Sequence, residues 1–111
     1  APTFLLRYWA SQRTRGERIP LEFLVHKQTR GNALAYGLPD RGLIAPGMKA
    51  DLNLIEFDRL GLCRPQVVRD LPAGGKRFIQ RATGYRHTFV SGVEILRDDE
   101  LTGALPGQLI R

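Results

Sequence analysis

The chain has 111 residues, of which 42% are hydrophobic and 25% are charged, and its formal net charge is +6. These proportions are typical of a folded domain and exclude a wholly disordered chain. No apolar run approaches the roughly 18 residues of a membrane span, so we expect no membrane partner. The single cysteine, Cys63, excludes an internal disulfide and a multi-cysteine metal site, and it favours a reducing, cytoplasmic location. The first residue is Ala1 rather than methionine, which suggests a processed product or an excised piece.

The positive charge is concentrated in two segments. Residues 1–31 hold six basic and two acidic residues, and residues 64–87 hold six basic residues and one acidic residue. Clustered arginine is the usual footprint of a nucleic-acid binder. One hypothesis is therefore a stand-alone basic module that binds nucleic acid or an acidic protein partner. Nucleic acid is the less favoured partner, because no helix-turn-helix, zinc-finger or aromatic stacking motif accompanies the charge.

The beginning of the chain has a helical pattern. Pro2 suits the first turn of a helix, where its missing N–H costs nothing. Phe4, Leu5, Tyr8 and Trp9 then recur at the spacing that places side chains on one helical face. The pattern predicts an amphipathic helix with an aromatic stripe.

The next segment predicts a turn followed by further helix. Residues 13–18 are polar and interrupted by glycine, which indicates an exposed turn. A second helix is predicted to begin at Pro20. Thr29 is placed to cap a further short helix over residues 30–36, which Gly37 would end in a left-handed conformation.

After the helices the hydrophobic period changes to that of β-structure. Residues 43–44 predict a short strand, and residues 45–47 predict a tight turn. Residues 50–57 predict a strand that is covered on both sides toward its end. Residues 64–81 contain several proline and glycine residues and predict a long loop with short extended pieces.

The clearest local signal is a hairpin near the end of the chain. Residues 85–90 and 93–97 predict two strands, and Ser91-Gly92 between them favours a tight hairpin turn. The acidic residues 98–100 that follow predict a solvated turn rather than a cation site.

The chain offers few residues for catalysis or metal binding. His26, Cys63 and His87 are its only imidazole and thiol ligands, and they are too far apart in sequence for the close pairs of a strong zinc motif. We predict that His26 is a surface histidine, that Cys63 is a partly buried small apolar residue, and that His87 is a residue of a strand. No Gly-x-Ser-x-Gly context surrounds any serine, so a hydrolase nucleophile elbow is absent from the sequence. The residues alone predict no catalytic and no metal-binding site in this chain.

A longer motif links the helices to the strands. Residues 35–52 read AYGLPDRGLIAPGMKADL, and this stretch resembles the end of amidohydrolase-superfamily enzymes, where the last barrel helix leads through G-L-x-D-R-G-x-I-x-P-G-x-x-A-D-L into a small β-sandwich. Further segments resemble the D-aminoacylase branch, the N-acyl-D-amino-acid deacylases: DLPAGG at 70–75, RATGY at 81–85, FVSGV at 89–93 and TGALPG at 102–107. The likeness covers nearly the whole chain.

The motif has a structural explanation that rests on six residues: Gly42, Pro46, Gly47, Ala50, Asp51 and Leu52. The two glycines supply turn conformations that are costly to a side chain, the proline sets φ for the second turn, and the alanine keeps the start of the strand tight. The aspartate is placed to accept backbone N–H bonds at that turn. It does not match the metal-binding aspartate of the family, which ends the eighth barrel strand ahead of these helices.

The resemblance implies an α+β fragment of a larger enzyme. Residues 1–38 would be outer helices of a TIM-type barrel, and residues 39–111 would be the C-terminal strands of a small β-sandwich, with a long loop at about 58–83. The parent protein would hydrolyse the amide of N-acyl-D-amino acids with zinc-activated water. Its zinc ligands would lie upstream, so we expect no cofactor and no activity in this chain. The implied partners are the missing N-terminal barrel of the same protein and, for the isolated fragment, further copies of itself.

Overall fold

A computed structural model describes residues 2–110 of the chain, and Ala1 and Arg111 lie outside the described residues. Over this range the protein is α+β, with helices in its first third and antiparallel sheets in the remainder. This class agrees with the α+β prediction. Among the described residues, no helix has both the length and the apolar character needed to cross a membrane.

The first helix, α1, is an α-helical turn at Pro2–Phe4 that continues as a π-helix over Leu5–Gln12. The predicted aromatic stripe is present: the rings of Phe4 and Tyr8 stack at 5.1 Å, and Tyr8 meets Trp9 edge to face at 5.6 Å. The stripe is nevertheless only partly covered, because Phe4 keeps 48% of its surface exposed.

The second helix, α2, runs without a break through Leu21–His26, Lys27–Gly31 and Asn32–Ala35, and its middle part is a π-helix. The prediction that Thr29 caps a separate helix is therefore wrong. Its hydroxyl instead donates a 2.7 Å hydrogen bond to the Val25 carbonyl one turn earlier, which satisfies the side chain inside the helix.

The end of α2 follows the prediction closely. Gly37 adopts a φ of 68°. Its N–H donates to the Leu34 carbonyl at 3.1 Å, and the Leu38 N–H donates to the Ala33 carbonyl at 2.8 Å. This pair of bonds is the Schellman arrangement, in which a left-handed glycine lets the chain satisfy the last helical carbonyls.

Short strands make up the rest of the fold: β1 (Leu52–Ile55), β2 (Gly61–Leu62), β3 (Gln66–Val68), β4 (Arg77–Ile79), β5 (Ala82–Thr83), β6 (Tyr85–Val90), β7 (Val93–Arg97) and β8 (Glu100–Leu101). In the described residues, β1, β6, β7 and β8 form one antiparallel sheet in that order. The predicted strand at residues 43–44 is wrong, because these residues lie in an irregular bend.

The hairpin between β6 and β7 is confirmed. Ser91 and Gly92 both have positive φ, 51° and 79°, which is the type I′ geometry that matches strand twist. The strand β8 was not predicted. It forms because Asp98 and Asp99 also adopt positive φ, 47° and 67°, and turn the chain back a second time.

The predicted long loop at about 58–83 contains more regular pairing than expected. β2 pairs with β5 and β3 pairs with β4, and the Cys63 N–H donates to the Arg81 carbonyl at 2.9 Å between the two pairs. Residues 61–83 therefore form one antiparallel ribbon, which we call the ribbon. A 3-10 turn at Pro72–Gly74 closes its tip.

The core of the described residues is small. Its buried hydrophobic side chains are Leu24, Ala33 and Leu60. The accessible surface is 8726 Å², whereas a compact monomer of 12.5 kDa exposes about 6,200 Å². The radius of gyration, 16.0 Å, likewise exceeds the roughly 13 Å expected for this length. The strand predicted at residues 50–57 is half-buried toward its end, at residues 55–57, whereas Leu52 and Leu54 before them remain 38% and 58% exposed.

Candidate functional site

The first turn of the motif joins α2 to the sheet through close backbone packing. Gly42 has a φ of 78°, and a Cβ built on it would lie 2.7 Å from the Arg30 backbone N and Cα. The Arg30 guanidinium in turn donates to the carbonyls of Pro39 and Arg41, each at 2.9 Å. Only glycine combines this conformation with this approach, so the structure requires glycine at position 42.

The second turn of the motif also has the predicted geometry. The Met48 N–H donates to the Ala45 carbonyl at 3.1 Å, with Pro46 and Gly47 between them. Gly47 has a φ of 82°, so this is a type II turn with proline at its first central position. No atom lies within 4 Å of a Cβ built on Gly47, so conformation alone requires glycine there.

The aspartate of the motif hydrogen-bonds to the β6–β7 hairpin rather than to its own turn. Asp51 Oδ1 accepts the Ser91 N–H at 2.9 Å, and the neighbouring Ala50 carbonyl accepts the Gly92 N–H at 2.9 Å. The prediction that Asp51 accepts bonds at the preceding turn is therefore wrong, because its carboxylate reaches across to the β6–β7 hairpin. Leu52 then begins β1. The motif connects the helical segment to the hairpin.

The three candidate metal or nucleophilic residues do not form a site. His26 is exposed on α2, as predicted, and His87 is a half-buried residue of β6, as predicted. Cys63 is exposed, so its predicted partial burial is wrong; no neighbouring element covers it in the ribbon. Within residues 2–110, no group of three or more His, Cys, Asp or Glu side chains is arranged to hold a metal ion.

Sequence reasoning missed a charged cluster on the β6–β7 hairpin. The Glu94 carboxylate pairs with the Arg97 guanidinium and with His87 Nδ1. The hydrogen bond from Arg97, with a second from His87, lowers the pKa of Glu94 below its usual range, and Glu94 raises the pKa of Arg97. The register of the hairpin could have revealed this cluster, because His87 lies directly opposite Arg97. In the described residues the His87 ring hydrogen-bonds no hydroxyl or thiol, so the cluster lacks a nucleophile.

The acidic turn after β7 is more structural than predicted. The Asp99 carboxylate accepts the N–H groups of Gly84 at 3.1 Å and Tyr85 at 2.8 Å, while Asp98 pairs with Arg86 at 3.0 Å. These groups border an open cleft of about 610 Å³ lined by Arg59, Thr83, Gly84, Arg86, Asp98 and Asp99. Both carboxylates are already paired with other groups of the fold, so we interpret the cleft as a structural junction.

The motif at residues 35–52 resembles a segment of amidohydrolase-superfamily enzymes, and comparison with known families agrees. A sequence model described as the amidohydrolase family matches residues 3–96, most of the chain. The chain belongs to this family.

One curated relative shares a short, highly similar stretch. It is the 5-methylthioadenosine/S-adenosylhomocysteine deaminase of Pelotomaculum thermopropionicum, which is 63% identical over 35 residues. The aligned stretch covers 32% of this chain and 8% of the deaminase, so the chain spans only a small part of that relative. No solved structure matches the chain.

Proposed function

We propose that the chain is the C-terminal part of a longer amidohydrolase that hydrolyses a non-peptide C–N bond. The observation that carries this proposal is the family match over residues 3–96 in a segment whose described residues contain no metal-binding group. The C-terminal position rests on the resemblance of residues 35–52 to the end of superfamily enzymes. In this view the chain is a structural part of the enzyme, and catalysis belongs to residues outside it.

The exposed apolar surface supports a larger parent protein. Leu52 and Leu54 lie on an uncovered face of the edge strand β1, and Phe4 is half exposed on α1. Burying a large apolar side chain contributes about 1.5–3 kcal/mol, so a folded protein rarely leaves so many in water. In the proposed parent, a TIM-type barrel and the N-terminal strands of a β-sandwich cover these faces.

The proposed substrate class is N-acyl-D-amino acids. Its support is the resemblance of the segments at 70–75, 81–85, 89–93 and 102–107 to the D-aminoacylase branch. Zinc is the proposed cofactor of the parent, held outside this chain because the described residues do not supply a ligand set. A second candidate is deamination, which the name of the 63% identical relative favours. The basic-module alternative is not favoured, because the family match spans nearly all of both basic segments.

The test compares the longer protein that contains this chain with the isolated 111 residues. We expect the longer protein to release the free amino acid from N-acetyl-D-amino acids and to act poorly on the L enantiomers. Release of ammonia from 5-methylthioadenosine without amide hydrolysis would instead support deamination, the second candidate function.

The isolated chain gives an independent readout. We expect it to hydrolyse neither substrate and to bind no stoichiometric zinc. One tightly held zinc per chain, lost on replacing His26, Cys63 or His87, would contradict the proposal. So would retention of duplex DNA by the isolated chain with steep salt dependence, which is the behaviour of a basic module.

A further inference from the structure

The ribbon has an apolar face that nothing in the described residues covers. Val67 and Phe78 are direct cross-strand partners on β3 and β4, so their side chains share one face. They are 55% and 79% exposed, and Leu71 near the tip is 44% exposed. A two-stranded ribbon is marginally stable in water without a surface to pack on. The ribbon therefore presents an uncovered apolar surface on an element that gains from being covered.

The shape of the ribbon is fixed by contacts within it. The Asp70 carboxylate receives two hydrogen bonds from the Arg77 guanidinium, at 2.8 and 2.6 Å. The Gln80 side-chain amide donates to the Cys63 carbonyl at 3.0 Å. Docking such a preorganised element loses less conformational entropy than docking a flexible loop.

The ribbon also carries exposed basic side chains. Arg64, Arg69, Lys76 and Arg81 are exposed, and none forms a salt bridge to another described residue. The matching surface is therefore apolar with an acidic border.

The chain itself carries such a surface at the edge strand β8. Leu101 is 81% exposed there, next to Glu100 and the acidic turn. Glu94, Asp98 and Asp99 are already paired within the fold, whereas Glu100 is exposed and forms no salt bridge to another described residue. Glu100 is therefore opposite in charge to the exposed basic residues of the ribbon, and an exposed apolar side chain, Leu101, lies next to it in the strand.

The base of the ribbon lies beside β8 in one molecule. An open cleft of about 410 Å³ separates the base of the ribbon from β8, and its lining includes Arg81, Ala82, Asp99 and Leu101. Two copies related by a two-fold axis can each pack their ribbon against the cleft of the other copy, so one chain supplies both halves of the contact. The chain exposes about 2,500 Å² more than a compact monomer, and the part of this surface on the ribbon and β8 is free in the isolated chain for a second copy to cover.

We propose that the ribbon is a docking arm for a second copy of this chain. In a two-fold dimer the Val67–Phe78 face of each ribbon packs on Leu101 and the cleft of its partner. In this dimer Arg69 of each ribbon faces Glu100 in β8 of the other copy. The proposal goes beyond the proposed function and does not depend on it, since association is measured without any assay of hydrolysis.

The first test measures self-association of the 111-residue chain by sedimentation equilibrium at micromolar concentrations. We expect a dimer whose dissociation constant rises about 30-fold in Phe78→Ser, as for loss of a central aromatic anchor. Tyr36→Ser is the matched control, because Tyr36 is 81% exposed at the end of α2, away from the arm. It should change the constant less than about 3-fold. Circular dichroism establishes that both variants keep the fold.

The second test identifies the receiving surface by charge exchange. Arg69→Glu and Glu100→Arg should each weaken homodimerisation about 10-fold. Each substitution gives residues 69 and 100 the same charge, and these residues meet at both symmetry-related contacts of the dimer. An equimolar mixture of the two variants should form heterodimers of near wild-type strength, because both contacts then join opposite charges. A monomeric wild-type chain, a dimer indifferent to Phe78→Ser, or a mixture without recovery would overturn the proposal. So would a monomer whose Arg69 is needed to retain duplex DNA, which would assign the ribbon to nucleic acid instead.

Discussion

The junction between the motif and the hairpin differs from the ribbon in where its hydrogen bonds lead. In the junction, Asp51 bonds the backbone of Ser91 and Asp99 bonds the backbones of Gly84 and Tyr85, so residues distant in sequence are tied together. In the described part of the ribbon between residues 63 and 81, the hydrogen bonds stay inside the ribbon. We therefore expect changes in the junction to affect the whole fold and changes in the ribbon to act locally.

The largest expected effect is at Gly42. Gly42→Ala must place a Cβ 2.7 Å from the Arg30 backbone and hold an unfavourable positive φ, so we expect a loss of about 3–4 kcal/mol in the free energy of unfolding. Gly47→Ala is the matched control, with a similar φ of 82° and open space around it. It should cost about 1–2 kcal/mol. Urea unfolding followed by circular dichroism measures both, and equal losses would contradict the close approach.

The second prediction concerns the acidic turn. Asp99→Ala leaves two partly buried N–H groups without an acceptor and keeps a φ of 67°, so we expect a loss of about 2–3 kcal/mol. Asp99→Asn retains an acceptor and tolerates the left-handed conformation, and it should cost about half as much. Asp58→Ala removes an exposed carboxylate and should stay within about 0.5 kcal/mol. Thermal unfolding of the three variants tests this order.

The same contrast explains what could be predicted from the sequence. The Schellman end at Gly37 and the turn at Ser91-Gly92 were predicted because a few adjacent residues determine them. The burial of Cys63 was predicted wrongly, and the exposure of Leu54 in β1 was not predicted, because burial depends on elements that pack from elsewhere.

Some contacts of the candidate site also could not be predicted from neighbouring residues in the sequence. The glycine requirement at position 42 follows from turn chemistry, but its contact with Arg30 depends on how α2 meets the turn. The reach of Asp51 to Ser91 crosses 40 residues of sequence. The strands of the ribbon are two or three residues long, too short for a hydrophobic period to be recognised.

The third prediction tests the local character of the ribbon. Asp70→Asn removes the charge that pairs with Arg77 near the tip, and we expect faster amide hydrogen exchange from residues 66 to 79. At protein concentrations low enough to keep the chain monomeric, the global unfolding midpoint should remain unchanged, because in the described structure no hydrogen bond links this part of the ribbon to the rest of the fold. A fall in the global midpoint would show that the ribbon belongs to the same cooperative unit as the junction.

The smallest expected effect is a pH dependence carried by Glu94. The pKa of Glu94 is lowered in the folded state by hydrogen bonds from Arg97 first and His87 second, relative to about 4.3 in the unfolded chain. Its contribution to stability is therefore present above that unfolded pKa and is lost as pH falls through the folded pKa. The midpoint difference between wild type and Glu94→Gln should shrink as pH falls below the unfolded pKa and through the lower folded pKa. The pKa of Asp70 is lowered in the same direction by Arg77, but its titration should change only exchange within the ribbon. A midpoint difference between wild type and Glu94→Gln that stays constant through this acid range would contradict the assignment. A hydrogen bond between uncharged groups has no such dependence on pH.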